Sequence, residues 1–174
     1  MARPLSEREA DELRFFHHRN RLLTAIREHS LCDPEEQSQL FIFQQCCTVL
    51  REVVDCNAVW AGGLDSERHR YIPYACVPPV TSVEISVQKV IAETIETRFG
   101  TDLTAFAEPI LLDRDGSEPA AAAATGAYLV WPVGYQDRFY GFVTVHNKQG
   151  ILLSDLKREF VAHVVDDIAL AIFA

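Results

Sequence analysis

Apolar residues recur along this chain with two periods, one of three to four residues and one of two, and the switches between them mark the elements. Ser6-Glu7-Arg8-Glu9 has the spacing of a capping box, in which the Ser6 oxygen and the Glu9 carboxylate satisfy the free amide groups of a helix start. Leu13, Phe16, Leu22, Leu23 and Ile26 follow at roughly helical spacing and predict one face of a long helix ending near Ser30. Asp33-Pro34-Glu35-Glu36 is a second start signal: Asp33 can cap, Pro34 suits the first helical position and Glu36 completes the box. Leu40, Phe43, Cys47, Leu50 and Val54 then line one side, and Phe41 and Cys46 broaden the stripe, so this helix is expected to be well buried.

The period then changes. Residues 58–64 (AVWAGGL) and 71–77 read as two strands around an Asp65-Ser66-Glu67 turn, with Pro73 pointing to a sheet edge or a bulge and Pro78-Pro79 ending the second strand. Thr81 to Glu84 repeats the capping spacing. Val87, Val90, Ile91, Ile95 and Phe99 predict a third helix, with Gly100 as its C-terminal stop. A short strand at 109–112 precedes a loop, 113–126, whose alanine run at 120–124 can form a helical turn. The strongest strand signal comes next. Residues 127–134 and 138–147 flank a tight Tyr135-Gln136-Asp137 turn. Alternation puts Tyr140, Phe142, Thr144 and His146 on one face and Phe139, Gly141, Val143 and Val145 on the other; both faces are mostly apolar, which implies cover on both sides. Ser154 or Asp155 caps a closing helix in which Leu156, Phe160, His163, Val164, Asp167, Ile168, Ala171 and Ile172 recur at three- and four-residue steps. No linker or repeat divides the chain. The pattern describes one α+β domain ordered α-α-β-β-α-β-β-β-α.

Composition fits that reading. The 174 residues are 48% hydrophobic and 24% charged, the balance of a globular chain with enough length for its own core. A net charge of −9 argues against nucleic acid or an anionic membrane as partner, since both need clustered Lys and Arg. No signal peptide and no run of about 18 apolar residues is found, so a cytoplasmic protein is expected. Cys32, Cys46, Cys47, Cys56 and Cys76 are odd in number and contain no CxxC pair. They read as reduced, mostly buried thiols, and no metal site is expected.

The element order, carried on two stretches, resembles the GAF family. One is LLTAIREHSLCDPEEQSQLFIFQQCCTVLREVVDCNAVWAGGLD. The other is YLVWPVGYQDRFYGFVTVHNKQGILLSDLKREFVAHVVDDIALAIF, which resembles the family's "L-x-x-P-V … G-x-V-x-V" hairpin at Leu129, Pro132, Val133, Gly141, Val143 and Val145. The similarity covers nearly the whole chain after Phe16, with residues 1–15 as a helical extension and 16–174 as the GAF-like domain. The resemblance implies a GAF-like (profilin-like) central antiparallel sheet. N- and C-terminal helices cover one face, and a lid of helix and loops, residues 78–126, encloses a pocket on the other. It also implies a regulatory role before an output domain rather than an enzyme.

The resemblance puts Trp60, Gly62, Tyr74, Tyr128, Val130, Thr144 and His146 on the pocket side. The plainer alternatives are core packing for Trp60 and a strand-end histidine bonded to a carbonyl for His146. His17, His18 and His69 are expected in solvent, and His163 in packing or at an interface. Covalent bilin attachment in the family looks like a Cys-His pair on the lid helix, which this chain lacks. The cyclic-nucleotide pattern continues past Asn147-Lys148 with residues that Ile151 and Asp155-Leu156 do not match. No GxSxG, P-loop or HExxH occurs.

These readings describe a ligand-sensing domain of a bacterial-type signal-transduction protein. Its ligand and cofactor are unidentified, and its homodimer is expected to form through Leu13, Phe16, Ile168 and Ile172. The chain stops inside an apolar helical pattern at Phe173-Ala174, pointing to a C-terminal output domain beyond it or to a helix end used for pairing. Two alternatives stand beside this: a dimerisation module whose pocket is filled by Trp60 and Tyr128, and a methionine sulfoxide reductase-like enzyme using Cys76.

Overall fold

A computed structural model describes residues 3–31, 35–65, 67, 70–79, 82–100, 102–113, 127–147, 149–150 and 153–174, with the side chains of 35–37 and 82–85 outside the description. The expected caps at Asp33 and Thr81, the alanine run, His69 and Cys32 therefore lie outside the described residues. The elements are α1 (Glu7–Ser30), α2 (Glu35–Val53), β1 (Ala58–Asp65), β2 (Arg70–Val77), α3 (Ser82–Phe99), a 3-10 turn (Leu103–Ala105), β3 (Ile110–Leu112), β4 (Tyr128–Tyr135), β5 (Arg138–His146) and α4 (Asp155–Phe173). The order is the expected one, with the 3-10 turn added.

Local chemistry explains the boundaries. Both halves of the capping box form at α1: the Glu9 amide donates to Ser6 Oγ, and the Ser6 amide donates to Glu9 Oε2 at 2.7 Å. Ser154, not Asp155, caps α4 by accepting from the Lys157 amide at 3.3 Å. α3 stops where Gly100 takes φ +62° and sends its amide to the Glu96 carbonyl at 2.8 Å, a left-handed turn that glycine makes without steric cost.

The five strands pair antiparallel in the order β2-β1-β5-β4-β3. Pro73 lies on the edge strand opposite an irregularity between Ala61 and Gly62, so its missing N–H breaks no central ladder. Behind the sheet, α1, α2 and α4 build the larger core with Phe15, Phe43, Leu50, Val143, Val145, Phe160 and Ile168. In front, α3 and the segment to β3 build a second core around Trp60, Ile91, Ile95, Phe106, Leu112 and Phe142.

Helical spacing misplaced parts of the stripes on α1, α2 and α3. On α1 the buried residues are Phe15, Leu22 and Ile26, whereas Leu13, Phe16 and Leu23 face outward. The inward line runs through Arg19, whose polar head is held by Asp167 of α4, so that residue does not read as core. On α2, Leu40 is exposed, and on α3, Val90 is exposed. The inward line of α3 passes instead through Gln88, Ile91, Ala92 and Ile95. His163 is exposed and packs in no core, while His18 is half-buried with Nδ1 3.4 Å from a Glu52 carboxylate oxygen.

Strict alternation also fails at one point of β5. The β4–β5 register slips between Val133, opposite Gly141, and Gly134, opposite Phe139. Tyr140 is the extra residue. The slip sends Phe139 to the front core and Tyr140 to the helical side, the reverse of the simple alternation, while Phe142, Thr144 and His146 keep their common front face. The hairpin closes through Gln136-Asp137, with Gln136 at φ 55°.

Candidate functional site

Cross-strand register assembles the front face rung by rung. His146 sits between Ala58 and Tyr128, and Leu112 follows Tyr128. Thr144 sits between Trp60 and Val130, with Cys76 beyond Trp60 and Ile110 beyond Val130. Phe142 sits between Gly62 and Pro132. Six of the seven expected pocket residues (Trp60, Gly62, Tyr128, Val130, Thr144 and His146) are therefore neighbours on one surface.

Tyr74 is not among these front-face neighbours, although it lines the cavity at the edge of β2. The irregularity in β2 turns it to the helical side, where it stacks on Phe43 at 4.8 Å between ring centroids. The Gly62-Gly63 pair explains the exchange. A Cβ on Gly63 would stand 2.3 Å from the Tyr74 hydroxyl oxygen, and one on Gly62 would stand 2.3 Å from Tyr71 Cε2. Each glycine thus admits one tyrosine ring on its own face, and Tyr71 occupies the front.

The centre of the front face is filled by these side chains. Trp60 is 1% exposed, Thr144 0% and His146 7%. Tyr128 stacks on His146 at 4.4 Å, and Trp60 lies 5.5 Å from Tyr128 and 5.8 Å from His146. Ile91, Ile95, Phe106, Ile110 and Leu112 complete this core. Two polar atoms are buried in it without a hydrogen-bond partner among the described residues: Trp60 Nε1 and Thr144 Oγ1. Such groups cost free energy unless something accepts from or donates to them.

Open space lies beside this centre, between edge strand β2 and α3. A cavity of about 550 Å³ is lined by Leu64, Arg70, Tyr71, Cys76, Gln88, Lys89, Ala92 and Glu93, among others, a size typical of small-molecule sites. The Tyr71 hydroxyl donates to Gln88 Oε1. Burial holds the Tyr71 phenol in its neutral form, well above its ordinary pKa, with the Cys76 and Cys47 sulfurs adding to the effect. The half-buried Cys76 thiol donates to the Pro78 carbonyl at 3.0 Å. Cys46, Cys47 and Cys56 are buried thiols raised above the ordinary range by burial, Cys56 to about 11. Among the described residues, no three His, Cys, Asp or Glu side chains converge to hold a metal ion, and no helix is long and apolar enough to cross a membrane.

The GAF domain family model matches residues 41–172, well over half of the sequence. The chain belongs to the GAF domain family. Solved structures agree on the fold. The GAF domain from an Acinetobacter phosphoenolpyruvate-protein phosphotransferase is 14% identical, with 97% of this chain and 95% of that one covered and a TM-score of 0.60. The cyanobacteriochrome receptor PixJ is 13% identical, with 80% and 97% covered and a TM-score of 0.57. A fragment of a methyl-accepting chemotaxis protein is 14% identical, with 87% and 94% covered and a TM-score of 0.56. At these identities the likeness speaks for the fold alone. No curated protein matches the chain.

The sheet of this GAF domain has the terminal helices behind it and the aromatic core with the adjoining cavity in front. Sequence reasoning missed Tyr71 and Gln88 as front-face residues. Gln88 had a legible signal. It is three residues before Ile91 and seven before Ile95, the lone buried polar residue of this GAF domain's α3 among the described residues.

Proposed function

We propose that this GAF domain is a regulatory, ligand-sensing unit of a cytoplasmic signal-transduction protein and not a catalyst. A small molecule would enter between β2 and α3, and the terminal helices would carry the response to an output domain. The observation that carries this reading is the cavity of about 550 Å³ next to a front core in which polar atoms of Trp60 and Thr144 have no hydrogen-bond partner among the described residues. A core built only for stability would dispense with them. Domains of a cyanobacteriochrome receptor and of a methyl-accepting chemotaxis protein share the fold, which supports a sensory role. A ligand shifts the helices only through a difference in affinity between two arrangements.

Pairing through α1 is part of the same reading. Leu13 and Phe16 are exposed at 47% and 59%, and Leu23 continues their line at seven-residue spacing from Phe16. Asn20 falls in that line, and an asparagine there sets helix register. Ile172 is half-buried near the end of α4 and can extend the contact. Ile168 is fully buried behind the sheet and offers no surface.

A second reading has its own support. The filled centre of the front face, with Trp60, Tyr128 and His146 packed together, suits a dimerisation module that senses nothing. One experiment separates the two. The purified chain is screened for thermal shift against a metabolite library, and its mass is read by native mass spectrometry. The sensor reading expects a dimer and at least one compound class that raises the melting temperature. A dimer that no compound stabilises favours the module, and a monomer that no compound stabilises contradicts both.

A further inference from the structure

Gln88 is 2% exposed and lines the cavity between β2 and α3. Its carbonyl oxygen is engaged by the Tyr71 hydroxyl. Its amide nitrogen is buried and has no hydrogen-bond partner among the described residues. A primary amide carries two N–H donors, and leaving both unmade in a buried position is unfavourable. The Tyr71 hydroxyl donates to the Gln88 carbonyl oxygen, and this orientation of the amide leaves its nitrogen as the remaining donor.

We propose that the β2–α3 cavity binds a small neutral molecule whose carbonyl or ring-nitrogen acceptor takes the free N–H groups of Gln88. This rests on the sensor reading above and narrows it to one site and one class of ligand. The acceptor requirement follows from the donors left over. Neutrality follows from the rim, where Arg70 and Lys89 stand with Glu93 and Glu96, so neither charge sign is favoured. Leu64 and Ala92 supply the apolar walls, and the Tyr71 ring, admitted by Gly62, supplies a flat one.

The test is a titration of the nitrogen-15-labelled chain followed by NMR, with benzamide, benzylamine and benzoate as probes. These share a ring and differ in carrying a neutral acceptor, a cation and an anion. The Gln88 side-chain amide signal is assigned by its loss in Gln88→Met. The expected result is that benzamide moves that signal and the backbone amides of β2 and α3, more tightly than either charged probe. Gln88→Met should weaken benzamide about tenfold, the scale of one hydrogen bond. Gln88→Glu keeps an acceptor for Tyr71 and, at a pH where its carboxyl is ionised, removes the donors, so there it should weaken benzamide as much, and it serves if the methionine variant fails to fold. Equal benzamide binding by wild type and variants would overturn the proposal. So would shifts centred on Trp60 and His146, or no response to any probe at millimolar concentration. If the metabolite screen nevertheless finds a stabilising compound, only this site is wrong and the sensor reading stands.

Discussion

Arg19 of α1 grips Asp167 of α4 with both prongs of its guanidinium, Nε donating to Oδ2 at 2.7 Å and Nη2 donating to Oδ1 at 2.9 Å. The pair is partly shielded from water and joins helices 148 residues apart in sequence. It therefore couples the two terminal helices directly, on the side of the sheet opposite the candidate site.

Breaking that clamp should loosen the helical layer. Arg19→Met is expected to lower stability by about 1 kcal/mol, toward the upper end for a partly exposed pair with good geometry. Urea denaturation of wild type and variant measures it; unchanged stability would show that the clamp carries no load.

A different outcome is expected at Thr144. Its hydroxyl is buried without a partner among the described residues, so Thr144→Val removes an unmet polar group at constant shape. The variant should be as stable as wild type or more stable by about 1 kcal/mol. A loss of more than that in thermal or urea unfolding would mean the hydroxyl is bonded in solution.

Gly62 should not tolerate a side chain. A Cβ there would overlap the Tyr71 ring, and Gly62→Ala should cost roughly 1–3 kcal/mol, as overpacking usually does. The penalty should shrink in a Tyr71→Ala background. Equal penalties in both backgrounds would place the clash elsewhere.

How much of this was visible in the sequence depends on whether one element or two set a residue's position. Capping at Ser6, the stop at Gly100 and the β4–β5 turn are local, and the sequence located each. Leu13 and Phe16 were read as one face with Leu22, but which face of α1 turns inward is decided by α2 and α4. Tyr140 was placed by strict alternation and Tyr74 by the family resemblance. Each lies at a register slip, and a single extra residue reverses the face. Trp60, Thr144 and His146 were grouped correctly, because β1 and β5 are regular between them. Gln88 was passed over because a lone glutamine on an apolar line gains meaning only once Tyr71 is known to face it.

Buried thiols make the fold sensitive to alkali. Cys56 ionises near its ordinary value of 9.0 in the unfolded chain and at about 11 in the folded one, burial being the main cause. Folding favours the protonated thiol. Its stabilising contribution is complete below about pH 9 and is lost as pH rises through about 11. Cys56→Ala should make that part of the stability profile shallower, with Cys46 and Cys47 supplying the rest of the fall. In the native chain at pH 8, Cys46, Cys47 and Cys56 should resist a thiol reagent until unfolding; their fast labelling would contradict the burial.

A molecule bound in front of the sheet should be felt by the helices behind it. Hydrogen exchange with and without the most stabilising compound from the metabolite screen reads this. Exchange is expected to slow in β2 and α3 and to change in α1 and α4 around Arg19 and Asp167. Slowing confined to β2 and α3, with α1 and α4 unaltered, would contradict this.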